Sequence, residues 1–184
     1  LAAILADRPP LDAVRRRWIE SDIVHAFERG EIGALEFSTR LVADWSLPLS
    51  PEAFLADFAA WARGPYPGAL ALLDELRADH RLACLSNANE LHTAGHRRHF
   101  EDRLDALFFS NEIGVTKPDP AIFGHVARSL AVDPSRIAFF DDTEVNVRAA
   151  SEAGFAAHLT DGFAALVERL SKLGIAHWTG TVAR

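Results

Sequence analysis

From residue 69 onward the chain repeats one texture, an amphipathic helical stretch followed by an apolar run too short to be a helix. The runs are "RLACL", "LDALFFS", "RIAFF" and "FAAHLT". Around them lie "ALALLDELRADH", the stretch from Glu90 to His99, "DPAIFGHVARSLAV", "EVNVRAASEAG" and "GFAALVERLSKLG". Short continuous apolar runs between helices mark parallel strands covered on both faces, so this region is expected to form a doubly wound, Rossmann-like α/β sheet. Gly154 and Gly174 stand where two of the helices should close.

The first sixty-odd residues carry helical spacing only. Apolar positions recur at that spacing in "LDAVRRRWIESDIVHAF", "ALEFSTRLVADWSL" and "PEAFLADFAAWA". The breaks at "ERGEIG" and "LPLS" divide them into a small bundle of about four helices. Ser50, Pro51 and Glu52 form a strong helix start: a capping hydroxyl, proline at the first helical position and an acid in the first turn. Gly64-Pro65-Tyr66-Pro67-Gly68 then reads as a hinge, which divides the chain into a helical region, 1–63, and an α/β region, 64–184. The four tryptophans fall mostly at helix-compatible positions and read as packing residues.

A chain of 184 residues, 49% apolar and 24% charged, is long enough to bury a real core as one domain with an insertion. No apolar run approaches the roughly 20 residues that cross a bilayer, and no signal-peptide pattern opens the chain. Cys84 is the only cysteine and can form no internal disulfide, so a reducing cytoplasm is the expected setting. The net charge of −7 argues against nucleic acid as the main partner. It also means that an anionic ligand needs a locally positive site, built from a lysine, a metal ion or backbone N–H groups.

Ligands of open parallel sheets bind beyond the carboxyl ends of the strands, so those ends carry the functional question. The first run ends in Ser86 and Asn87, the second leads into "SNEIGVTKPDP" with Lys117, and the third ends in Asp141 and Asp142. Taken singly, these are a turn, a loop charge and a helix start that favours acids. Together they place a hydroxyl, a lysine and two acids on one sheet edge. Adjacent carboxylates repel, and leaving either unpaired in a partly buried place is costly, so the pair calls for a cation.

"LACLSNAN", "GVTKPDP" and "IAFFDDTEVN" resemble, in order and spacing, the second, third and fourth motifs of the haloacid dehalogenase-like hydrolases. "HAFERGEIGALEF" resembles the helical cap of the branch that holds small sugar phosphatases and the N-terminal phosphatase domain of soluble epoxide hydrolase. The resemblance implies a magnesium-dependent phosphatase acting on a small phosphorylated metabolite. It implies that Asp142 and Asp141 hold Mg²⁺, whose hard charge suits carboxylate oxygens. By the same resemblance Ser86 and the N–H of Asn87 hold phosphoryl oxygens, and Lys117 neutralises nucleophile and phosphate. Asn146 falls near where many members carry another acid.

The family's first motif is Asp-x-Asp at the end of an N-terminal, central strand. Its first aspartate attacks phosphorus to form an aspartyl-phosphate, and its second works as general acid and base. No such pair follows an apolar run here; Asp7 and Asp12 sit in "LADRPPLDAV", the wrong context. The chain contains no methionine and opens on Leu1, so the nucleophile strand is expected upstream of residue 1.

A 2-haloacid dehalogenase is the rival within the family, and a non-catalytic binding protein the rival outside it. Two acids beside a nucleophile suit a metal-dependent reaction and hinder a metal-free one, which favours phosphoryl transfer. His92, His96 and His99 share one helical face at a spacing that can bind zinc, but Arg97 and Arg98 would repel a cation, and these histidines stay outside the site. Glu28, Arg29 and Glu31 in "ERGEIG" read either as substrate contacts or as a solvated turn.

Overall fold

A computed structural model describes residues 10–62 and 64–178. The chain divides into two compact units. The first takes in Leu1–Arg63, Asn87–Gly95 and Phe109–Thr116; the second takes in Gly64–Ser86, His96–Phe108 and Lys117–Arg184. Two later segments therefore belong with the helical N-terminal region.

The first unit is built on α1 (Leu11–Ile19), α2 (Asp22–Glu28), α3 (Ala34–Asp44) and α4 (Pro51–Ala59). What reads as one periodic stretch from Leu11 to Phe27 is two helices. Glu20 closes the first and Ser21 starts the second, its hydroxyl accepting the N–H of Val24 at 3.4 Å. Ser50 caps α4 in the same way, accepting the N–H of Ala53 at 3.2 Å, with Pro51 opening the helix.

The helices bury an aromatic core of Phe27, Phe37, Phe54 and Phe58, joined by Leu41 and Trp45. Phe27 and Phe37 stack with ring centroids 4.2 Å apart, and Trp18 meets Phe37 edge-on at 6.2 Å. Trp61 is the exception to buried packing: it is 42% exposed, though its ring still meets Phe58 at 5.0 Å.

Later segments complete this unit. Ser110 opens the single-turn helix α7 (Ser110–Ile113) and is fully buried. Its hydroxyl donates to the Glu28 carbonyl at 2.6 Å and accepts the N–H of Ala88 at 2.9 Å. Glu90, the first residue of α6 (Glu90–Phe100), accepts the N–H of Ala34 at 2.6 Å and so caps α3 from 56 residues away. The carbonyl of Asn111 lies where a β-carbon on Gly30 would sit, 2.5 Å from it, and Gly30 has φ +70°. Only glycine meets both conditions.

In the second unit helices alternate with strands as the sequence predicts. α5 (Ala69–Leu76), β1 (Ala83–Ser86), β2 (Ala106–Phe109), α8 (Pro120–Leu130), a 3₁₀ turn at Pro134–Arg136, β3 (Ala138–Asp141), α9 (Glu144–Glu152), β4 (Ala156–Leu159) and α10 (Gly162–Lys172) follow in order. β3 and β4 run parallel, with Phe139 opposite Ala157 and Asp141 opposite Leu159. β1 pairs with β2, and the Leu82 N–H and carbonyl both bond to Asp105 just ahead of them, at 2.7 and 2.8 Å.

The strands are less covered than the unbroken apolar runs predict. Among the described residues they form two two-stranded sheets, so each strand has a pairing neighbour on one side only. Ala83, Ala138 and Ala156 are exposed, and Phe109 is the one fully buried strand residue. The core lies under the helices instead. Leu72 and Leu76 of α5 pack with Phe163 and Leu170 of α10, while Phe123, Phe139 and Phe155 meet edge-to-face at 5.6–6.3 Å.

Candidate active site

β3 delivers Asp141 as its last residue, and the turn after α7 delivers Lys117. The Lys117 ammonium donates to Asp141 Oδ2 at 2.6 Å and to the carbonyl of Leu85 in β1 at 3.1 Å. The two side chains are 10% and 7% exposed. A buried pair tolerates desolvation only when the remaining lone pairs are also satisfied. Here Asp141 Oδ1 accepts the N–H of Thr143 at 2.9 Å and the Nδ2 amide of Asn146 at 3.0 Å. The cation also lies 5.6 Å from the centre of the Phe139 ring, a favourable face for positive charge.

The two acids are thus in different states. Asp141 is enclosed and held by Lys117, Thr143 and Asn146. Asp142 is exposed, and among the described residues its Oδ1 accepts only the Thr143 hydroxyl, at 3.2 Å. Ser86 ends β1 directly after the residue whose carbonyl receives Lys117, and it is half-buried. Asn87 follows it and belongs to the first unit. The burial of Cys84 in β1 raises its thiol pKa, against the opposing pull of the Lys117 charge.

The sequence singles out Lys117, Asp141 and Asp142 as residue types, and the structure adds the contacts that Lys117 and Asp141 make. The Leu85 carbonyl is invisible to any side-chain motif. Asn146 left a usable signal: an amide in the first turn after a strand-end acid is placed to bond back to it. Asp12 stands in the first turn of α1 and is exposed; Asp7 lies outside the described residues.

The donor set fits a cation that the protein holds only in part. Among the described residues no group of three or more His, Cys, Asp or Glu side chains gathers as a cage. Magnesium commonly keeps its waters and takes one or two carboxylates plus substrate oxygens, and exposed Asp142 suits that arrangement. Asp141 already spends both oxygens within the chain.

The histidine face is structural where its contacts are visible. His92 Nε2 faces the Phe58 carbonyl at 2.9 Å, which fixes the proton on that nitrogen, and Nδ1 faces the Asn89 amide at 3.2 Å. In the "ERGEIG" turn Arg29 and Glu31 form a two-bond fork at 2.7 and 2.9 Å. That bond raises the Arg29 pKa and lowers that of Glu31. The two groups are spent on each other, while the Glu28 carbonyl receives Ser110.

No described helix is long and apolar enough to cross a membrane. A phosphatase from Mycobacterium tuberculosis is 28% identical over 169 residues, 83% of this chain and 74% of that protein. A D-ribitol-5-phosphate phosphatase from Bacteroides thetaiotaomicron is 26% identical, over 76% of this chain and 71% of that protein. A crystal structure from the same organism, of a haloacid dehalogenase-family enzyme complexed with magnesium and inorganic phosphate, superposes with TM-score 0.69 at 24% identity. It covers 82% of this chain and 80% of that one. The model of the haloacid dehalogenase-like hydrolases matches residues 5–154, so the strand ends that carry Lys117 and Asp141 lie within the matched span and the chain belongs to that family of hydrolases.

Proposed function

We propose that this hydrolase is a phosphatase that cleaves small phosphate monoesters, sugar phosphates among them, with Mg²⁺ as its cofactor. The observation that carries the reading is the Lys117 ammonium fixed between the Asp141 carboxylate and the Leu85 carbonyl, with exposed Asp142 next in sequence. An immobilised cation at strand ends is what a transferring phosphoryl group needs, because charge stabilisation dominates that reaction. The phosphatase names of two relatives, and the magnesium and phosphate in a structural neighbour, support the same reading.

In this proposal Lys117 meets a phosphoryl oxygen, and the Ser86 hydroxyl and the Asn87 N–H hold the others. Asp142 takes the divalent cation, which would supply Lewis-acid charge to the phosphoryl group. Asp141 keeps Lys117 aimed. The route is the family's aspartyl-phosphate pathway: a carboxylate attacks phosphorus, the bond to the leaving alcohol breaks, and water then cleaves the acyl phosphate. No Asp-x-Asp pair stands at a described strand end. Residues 1–63 serve as the helical cap, the setting is the cytoplasm, and neither nucleic acid nor a membrane is a partner.

A panel of phosphomonoesters and 2-chloropropionate, assayed with Mg²⁺ and with chelator, tests this. Phosphate release that stops with chelator and returns with Mg²⁺ is the expected result. Halide release that ignores the chelator would replace the proposal with a dehalogenase. Turnover of neither would favour a binding protein.

A further inference from the structure

We infer that Phe139 is a positioning residue for Lys117, acting on its charge through the face of the aromatic ring. The inference rests on the proposed phosphate-binding role of Lys117 and adds a residue that the sequence shows only as part of the apolar run "RIAFF". Phe139 and Asp141 alternate along β3 with Phe140 between them, so their side chains leave the same face of the strand. The Lys117 ammonium sits against both, 2.6 Å from Asp141 Oδ2 and 5.6 Å from the centre of the Phe139 ring. Phe140 leaves from the other face, where its ring meets His158 at 5.3 Å.

The ring is held in place by neighbours other than the lysine. Buried Phe123 and Phe155 meet it edge-to-face at centroid distances of 5.6 and 6.3 Å, with interplanar angles of 83° and 74°. A ring fixed on two sides is a fixed surface, and its face carries the negative part of the aromatic quadrupole. With the Lys117 side chain only 10% exposed, water screens little of the attraction. The contact also differs in kind from the other two. Asp141 and the Leu85 carbonyl each take an N–H of the ammonium. The ring stabilises the charge as a whole, and so holds the cation at the strand ends without drawing on the donors that a phosphoryl oxygen needs. An aliphatic side chain at 139 would fill similar space but offer no negative face.

The test replaces Phe139 with mono-, di- and trifluorophenylalanine, which keep the shape of the ring while draining negative charge from its face. Binding of inorganic phosphate is measured by calorimetry for the parent protein and each member of the series. Affinity should fall stepwise with each added fluorine, by about tenfold across the series. Binding that stays level overturns the inference, because a ring that only fills space does not respond to the number of fluorines.

The second readout needs no phosphate. Urea unfolding is followed through the same series in the parent and in a background with Lys117→Met and Asp141→Asn, which removes the cation without stranding a buried carboxylate. If the ring acts on the charge, the folding equilibrium constant falls about tenfold across the series in the parent and by under about twofold in the neutral background, the non-additivity of coupled residues. Parallel trends in the two backgrounds mean that fluorine perturbs packing alone, and overturn the inference. If no protein in the set binds phosphate while the difference between backgrounds persists, the phosphatase reading fails and the positioning role stands.

Discussion

The Lys117 ammonium lies 2.6 Å from Asp141 Oδ2, with both side chains at least nine-tenths withdrawn from water. The cation that two adjacent acids call for is, for one of them, part of the chain itself. Lys117 reaches from the turn before α8 to the ends of both β1 and β3, so a single side chain ties two separately paired strands at their functional ends.

Removing the lysine leaves a buried carboxylate without its partner. Lys117→Ala should lower unfolding stability by about 3–5 kcal/mol, the usual cost of breaking a buried pair from one side. Urea denaturation measures it. A loss under about 1 kcal/mol would mean that the pair is far better solvated than its burial indicates. Under phosphatase conditions the same variant should lose at least a hundredfold in kcat/KM.

Asp142 should behave in the opposite way. It is exposed and, among the described residues, holds only the Thr143 hydroxyl, so Asp142→Asn should leave the melting temperature within about 2 °C of the parent. Divalent-cation affinity, titrated calorimetrically, should fall about tenfold or more. A large drop in melting temperature with unchanged cation affinity would exchange the roles of the two acids.

Cys84 supplies a pH-dependent signal. Burial raises its thiol pKa above the ordinary 9.0, with Lys117 pulling the other way. The folded protein then binds the proton more tightly than the unfolded chain does. The stability associated with it is whole below the ordinary value and erodes as pH climbs through the raised one. At neutral pH the thiol should react with a disulfide reagent only in denaturant. Fast reaction in the native protein would place Cys84 nearer water than described.

Gly30→Ala tests the turn that joins α2 to α3. The new β-carbon would meet the Asn111 carbonyl at 2.5 Å, on a backbone already at φ +70°. A stability loss of about 2 kcal/mol or more is expected from clash and left-handed strain together. Retention of parent stability would show that the Asn111 backbone yields.

Much of the fold was legible because the strands "RLACL", "LDALFFS", "RIAFF" and "FAAHLT" are apolar, short and bounded by helical periodicity. Boundaries were harder. Leu11 to Phe27 keeps one helical rhythm across Ser21, and only the hydroxyl's bond to the Val24 N–H reveals the restart. The single turn at Ser110–Ile113 is too short to carry a period. At the site, side chains that announce chemistry were visible as residue types, whereas the Leu85 carbonyl and the Thr143 N–H belong to the backbone and leave no mark in composition. Strand coverage falls short of the apolar content because, among the described residues, each strand pairs on one side only.

Ser110 carries a consequence for how the molecule forms. Its hydroxyl closes on residues 22 and 82 positions earlier, and Glu90 caps α3 across 56. During synthesis the N-terminal helices emerge long before either tether exists, so their last contacts must wait for chain that also builds β1 and β2. Long closures of this kind are slow steps. A fragment ending at residue 63 would be born without its fasteners, and cutting the gene at the apparent hinge should give a loose bundle, not a miniature of the first unit.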